Sequence, residues 1–349
     1  MLACRLHGKG DLRVEDFPLQ TVGRHQVNVR ISNGGICGSD LHYFLNGGFG
    51  PIRVTEPIVL GHEIAGVVAE VGDPDCSLQV GDKVAVNPSQ PCHNCHFCSQ
   101  EDYQHCIGMR FLGSARTTPH VQGGFRQSLI IGAAQCVKIS DATPLSHAAC
   151  AEPLAVCLHA ARQAGNLKRK RVLVTGSGPV GSLCVAVAKL RGAQEIVATD
   201  IVDFPLGIAK YMGATQTVNV AKATEGSSDY KRPGAQFDVV FECSAAASAI
   251  AMAIDLVRPR GTVIQVGVAG SLGLPINAIV GKEINFKGTH RFHEEFAEAA
   301  QLIDQKMINV EPLLTHLFPM SEAEAAFEQS FDRSGSMKVQ LSFDVESLL

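Results

Sequence analysis

The stretch Val172-Leu-Val-Thr-Gly176-Ser-Gly178-Pro179-Val180-Gly181 sets the tightest limit on what this chain can fold into. A β-branched apolar run leads into G-x-G-x-x-G, and a helical stretch, Val180 to Leu190, follows. In that context Gly176 allows a tight turn, Gly178 lets backbone amides approach a pyrophosphate, and Gly181 permits close helix packing, with the helix N-terminus facing the anion. A turn with no ligand is the bland alternative, and the strand-to-helix setting weighs against it. Nineteen residues beyond Gly181, at the end of the next apolar run Glu195–Asp200, stands Asp200, where a carboxylate accepts the adenosine ribose hydroxyls. No lysine or arginine lies between Asp200 and Lys210, and Asp203 adds a second acid, so NAD is favoured over NADP, which stays open.

Further apolar runs at 237–242 and 262–266 alternate with helical stretches, the signature of a doubly wound parallel sheet. Pro179, Val180 and Val266 complete the expected cofactor-lining set. From Met1 to about Ser140 the texture differs: short β-like runs such as Gln26–Ile31 and Ile64–Val71 are punctuated by glycine and proline. After about Gly288 comes an amphipathic helix, His293 to Lys306, and mixed elements. The expected division is an α/β protein of two domains: residues 1–144 with 289–349 β-rich, and 145–288 dinucleotide-binding. A length of 349 residues suits two cores.

A net charge of −4 gives no basic footprint for nucleic acid, and the run Lys168–Arg171 reads as a solvated strand entrance. No signal-type apolar region opens the chain and no stretch reaches the ~18 apolar residues of a membrane span, so a cytoplasmic protein is expected. In a reducing compartment twelve cysteines do not imply disulfides.

Four of those cysteines, Cys92, Cys95, Cys98 and Cys106, follow C-x2-C-x2-C-x7-C. An iron–sulfur run of the bacterial type has a shorter last gap and a proline after it, where this chain has Ile107. A tetrahedral zinc tetrathiolate tolerates the spacing, and four sulfurs leave no open position for a substrate.

Three other segments couple a possible zinc ligand to a glycine or proline: Gly34-Gly-Ile-Cys37-Gly-Ser39-Asp-Leu-His42, Leu60-Gly-His62-Glu63 and Ala151-Glu152-Pro. Singly each is weak. Together, and in this order around a nicotinamide fold, they resemble the medium-chain zinc-dependent alcohol and polyol dehydrogenases over essentially the whole chain. The resemblance implies a GroES-like β-rich catalytic domain beside the Rossmann domain, and a catalytic zinc on Cys37 and His62, with Glu63 and Glu152 sharing its surroundings. It makes Cys92, Cys95, Cys98 and Cys106 a structural zinc lobe, Ser39 the first proton-relay hydroxyl and His42 an outer proton acceptor. An incomplete protein shell leaves room for a substrate hydroxyl.

Within the family the similarity is to the sorbitol-dehydrogenase-like branch, on the residues 36–43, 86–92, 109–115 with 119–125, 151–156 and 281–284. A longer segment between Met109 and Gly123 tilts the reading from polyols such as sorbitol and xylitol toward a sugar acid, L-idonate, oxidised at C5. The branch also implies a homotetramer or dimer. A carboxylate calls for a guanidinium, so Arg291 and Arg110, with Phe111, are the expected substrate contacts. A non-catalytic NAD-binding protein, the reading from a different class, would need none of Cys37, Ser39, His62 or Glu152.

Overall fold

The computed structural model describes residues 1–222, 234–268 and 270–343. The expected segments 145–288 and 289–349 therefore each include a few residues outside the description.

The strand Gln26–Gly35 is the axis of the first sheet. Val27, Val29 and Ile31 are buried at alternate positions, the period of a pleated strand with one face on a core. Along one edge it pairs antiparallel with Glu63–Val71, in a register that sets Gly35 opposite Glu63. Along the other edge it takes Ser128–Gly132 near its start and Lys338–Ser342 near its end. The last strand among the described residues is thereby laid beside Gly34 and Gly35, with Gln340 opposite Gly35 and Leu341 opposite Gly34. Close approach requires the glycines: a Cβ on Gly35 would meet the Glu63 carboxylate at 2.2 Å.

The helix Gly38–Asn46 interrupts this β-rich part. Asp40 at its third position accepts the Cys37 backbone N–H (3.0 Å), and the helix stops at Gly47 in the left-handed conformation (φ 63°).

The second sheet is parallel and has six strands, Arg171–Thr175, Glu195–Asp200, Gln216–Asn219, Phe237–Glu242, Val257–Gln265 and Asn285–Gly288. In space they run third, second, first, fourth, fifth, sixth. The order reverses beside the first strand, and a ligand is received at the carboxyl ends next to such a reversal. The strands Arg171–Thr175, Glu195–Asp200 and Phe237–Glu242, buried on both faces, read as continuous apolar runs.

The helices Ala151–Ala164 and Pro179–Leu190 pack between the sheets. Leu154, Leu158, Val172, Val174 and Leu183 share one core cluster with Ala65 and Ala85 of the first sheet. Among the described residues no helix is long and apolar enough to cross a membrane.

Candidate active site

At the strand-to-helix turn Gly176 sits at φ 80°, and a Cβ there would strike Ser244 at 2.8 Å. A Cβ on Gly181 would lie 1.8 Å from the Gly176 carbonyl oxygen. Neither position admits a side chain. Gly178, by contrast, opens on free space and caps the helix Pro179–Leu190. That is the cradle a pyrophosphate needs: bare backbone at a helix N-terminus with nothing in front of it. Pro179 and Val180 form the half-buried first turn, and Val266 follows the fifth strand at the same end of the sheet. Asp200 is buried, and its Oδ2 accepts the Ser177 N–H at 2.8 Å, so the acid also fixes the loop.

The donor atoms of Cys37, His62 and Glu63 all lie within 4.8 Å of one another. The fold brings them together from separate elements: Cys37 at the cap of the 38–46 helix, Glu63 at the start of its strand, His62 just before it. Glu152, in the first turn of the helix Ala151–Ala164, lies close enough for His62, Glu63 and Cys37 to act on its charge. Burial pushes the Glu152 carboxyl up to about 8, and Glu63 and Cys37 add to this. Burial likewise pushes the Cys37 thiol up to about 12, although the Ser39 hydroxyl hydrogen-bonds to it and favours the thiolate. Several buried acids held toward their protonated forms are a demand for a cation, and a divalent ion at their centre reverses each shift. Sulfur, imidazole and carboxylate donors suit zinc, and three or fewer of them leave a position open. The expected set Cys37, His62 and Glu63 is thus brought together, with Glu152 beside it. His42 is exposed on the outer face of its helix, 3.4 Å from the Asn46 amide.

Two buried residues around this cluster have no counterpart in the sequence reading. Lys338, from the last strand, sets its Nζ 2.8 and 2.7 Å from the two Glu63 oxygens and donates to the Ile36 carbonyl at 3.2 Å. Burial opposes its charge, yet Glu63 and Cys37 more than offset this and its pKa is raised. Asp40, fully buried, lies 3.8 Å from His62 Nδ1 while accepting the N–H groups of Cys37 and Gly61. At that distance its charge acts on the imidazole without a hydrogen bond to it. The Asp40 signal was its place three residues after Cys37, the spacing of a capping box. For Lys338 no local signal exists.

The four cysteines of the second cluster, Cys92, Cys95, Cys98 and Cys106, also hold their sulfurs within 4.8 Å. The backbone N–H of Cys98 stabilises the Cys95 thiolate and brings it down to about 6. Met109 and Phe111 pack beside Cys98 and Cys106. This lobe meets the first site through Phe111, whose ring is 5.5 Å from that of His62.

Above the same Phe111 ring, at 4.1 Å, lies the Arg291 guanidinium. Burial lowers its pKa, Glu152 acts on it favourably, and its Nη1 is buried with no hydrogen-bond partner. Phe111 and Arg291 are therefore brought to the metal-type cluster. Arg110 is not: it points into a separate cleft of about 220 Å³ lined by Phe17, Gln122, Arg126 and Gln135. Alternation along a strand explains the split, since neighbouring residues face opposite ways.

Two family models match the chain, "Alcohol dehydrogenase GroES-like domain" over residues 23–141 and "Zinc-binding dehydrogenase" over 179–305. L-idonate 5-dehydrogenase (NAD(P)(+)) of Escherichia coli K12 is 38% identical over 98% of each chain. This chain belongs to the medium-chain zinc-binding dehydrogenases. Sorbitol dehydrogenase of Homo sapiens is 34% identical over 98% of this dehydrogenase and 96% of its own length. D-xylulose reductase A of Aspergillus niger is 36% identical over 93% and 92%. The crystal structure of the Escherichia coli L-idonate 5-dehydrogenase superposes with a TM-score of 0.93, covering 98% of this chain and 97% of that one. The fold is accordingly a GroES-like domain joined to a Rossmann-like parallel-sheet domain.

Proposed function

We propose that this dehydrogenase catalyses the reversible, NAD-linked oxidation of L-idonate at C5 to 5-keto-D-gluconate. Cys37 and His62 hold the catalytic zinc, Glu63 and Glu152 share its remaining protein-facing positions, and Cys92, Cys95, Cys98 and Cys106 hold a second zinc that shapes the lobe. When bound, the zinc supplies a Lewis acid for the substrate hydroxyl and the nicotinamide ring accepts the hydride. Gly176, Gly178 and Gly181 cradle the pyrophosphate, Pro179, Val180 and Val266 line the cofactor, and Asp200 receives the adenosine ribose. Lys338 pairs with Glu63 and fixes its carboxylate, and the Asp40 charge lies behind the His62 ring. Ser39, hydrogen-bonded to Cys37, passes the hydroxyl proton outward, and the exposed His42 hands it to water.

The observation that carries the sugar-acid reading is the 38% identity to L-idonate 5-dehydrogenase. Arg291, which has a counterpart in polyol enzymes and does not select the acid by itself, supports it as a substrate contact: a buried guanidinium, stacked on Phe111 beside His62, with one nitrogen unpartnered. A buried unpaired donor is costly, and a substrate carboxylate supplies its partner. The relatives named sorbitol dehydrogenase and D-xylulose reductase support the second reading, a polyol such as sorbitol or xylitol as substrate. The domain division at residues 144/145 and 288/289, a homotetramer or dimer, and a cytoplasmic location belong to the same proposal.

The test is initial-rate NADH formation with L-idonate, D-gluconate, sorbitol, xylitol and L-threonine, for the parent and Arg291→Ala. A preference for idonate that Arg291→Ala abolishes through a KM rise of roughly 10-fold or more supports the proposal. Polyol turnover alone transfers the mechanism to the second reading.

A further inference from the structure

The adenosine end of the cofactor cleft differs from what its acids suggest. Asp200 and Asp203 together would repel a ribose phosphate, but each carries a cation. Asp203 is held by Lys222 and by the Asn219 amide (2.6 Å). Asp200 is held by Arg333, whose Nη2 lies 3.0 Å from both carboxylate oxygens. Arg333 arrives from the turn after the helix Ala323–Gln329, 133 residues further along the chain. That turn is itself tied: Asp332 accepts the Ser334 N–H at 2.9 Å, and its carbonyl accepts the Ser336 N–H at 2.8 Å. The two acids and two cations balance.

The Asp200 carboxylate is also full. Besides Arg333 it accepts the N–H groups of Ser177 (2.8 Å), Ile201 (2.7 Å) and Val202 (3.1 Å). A carboxylate offers about four lone-pair sites, so ribose hydroxyls find room only if a partner withdraws. The three amides are fixed in the backbone of the loop and the strand end. Arg333 is the one partner on a flexible side chain, and that side chain is 54% exposed whereas Asp200 is 2% exposed. It can leave, and a guanidinium that leaves a carboxylate is a ready bidentate partner for a phosphate.

We propose that Arg333 is the specificity-determining residue at the adenosine end of the cofactor site, yielding Asp200 to the ribose hydroxyls of NAD and pairing with the 2′-phosphate of NADP. The dehydrogenase then accepts both dinucleotides with one arginine in two positions. This rests on the dinucleotide site argued above. Lys222, further out on Asp203, adds a smaller and more salt-sensitive attraction.

Calorimetric titration with adenosine 5′-monophosphate and adenosine 2′,5′-bisphosphate isolates the 2′-phosphate without turnover. In the parent both fragments bind. In Arg333→Ala and Arg333→Gln the bisphosphate weakens by roughly 10-fold or more relative to the monophosphate, and Arg333→Lys falls between. Lys222→Ala changes that ratio less, and 0.5 M salt erases its effect but not that of Arg333. A bisphosphate-to-monophosphate ratio unchanged in both Arg333 variants, with melting temperatures like the parent's, overturns the proposal and leaves Arg333 a strut between segments. Failure of the parent to bind either fragment or NADH removes the dinucleotide site and this inference with it.

Discussion

The Cys92–Cys106 lobe and the Cys37–His62–Glu63 cluster gather their donor atoms within the same 4.8 Å, yet they are built in opposite ways. The lobe draws all four donors from one short segment and uses sulfur alone. Its geometry is set by local backbone, as in the Cys98 N–H that favours the Cys95 thiolate. The other cluster mixes sulfur, nitrogen and oxygen, takes them from separate elements, and leans on Lys338 from the last strand and on Asp40. A closed local set suits a structural ion. A mixed set with a buried ion pair behind it can leave a position open and still hold its donors in place.

The sharpest way to break this contrast is to remove one donor from each side. His62→Ala is expected to lower kcat/KM on the preferred substrate by roughly 10⁴-fold, with circular dichroism unchanged and one zinc lost. Lys338→Met leaves Glu63 buried and uncompensated, and about 3–5 kcal/mol of stability is expected to go. In Lys338→Met with Glu63→Gln much of that loss returns, which denaturant titration of the parent and these two variants would read. Cys95→Ser opens the closed site and is expected to lower the melting temperature by several degrees. Its activity at low temperature stays far above that of His62→Ala, and the two assays together tell the sites apart.

The smallest effect concerns His290, which burial brings down to about 4, with Arg291 and His105 acting in the same direction. Its folded value lies below the ordinary ~6.5, so the unfolded chain binds more protons between these values. Stability therefore rises with pH across that window and is lost as pH falls through it. His290→Phe is expected to flatten the decline, by roughly 1–2 °C in melting temperature at pH 5 relative to pH 7 after allowing for its partial exposure. Equal slopes for parent and variant would remove His290 from the acid response.

How much of this was legible in the sequence follows the same division between local and distant. The strands Arg171–Thr175, Glu195–Asp200 and Phe237–Glu242 coincide with apolar runs because a strand buried on both faces leaves no other pattern. The four-cysteine lobe and the glycine turn were equally plain, being complete within fifteen and six residues. The helix Gly38–Asn46 was not, since at nine residues it carries too little periodicity to stand out from a β-rich stretch. Lys338 and Arg333 were invisible for a different reason. Each meets its acid only through the fold, Glu63 from 275 residues away and Asp200 from 133, and an isolated Lys or Arg near a C-terminus reads as surface. Arg110 and Phe111, adjacent in the chain, part company because strand geometry sends one to a different cleft.

The most direct test of two sites of different kind is a timed removal of zinc by dipicolinate, following metal content, NADH formation and melting temperature in the same samples. The first equivalent lost per subunit is expected to abolish activity while the melting temperature falls little, the second to leave slowly with a fall of many degrees, and one returned equivalent to restore turnover. A single class of zinc, or activity that survives loss of the first equivalent, would contradict two sites of different kind.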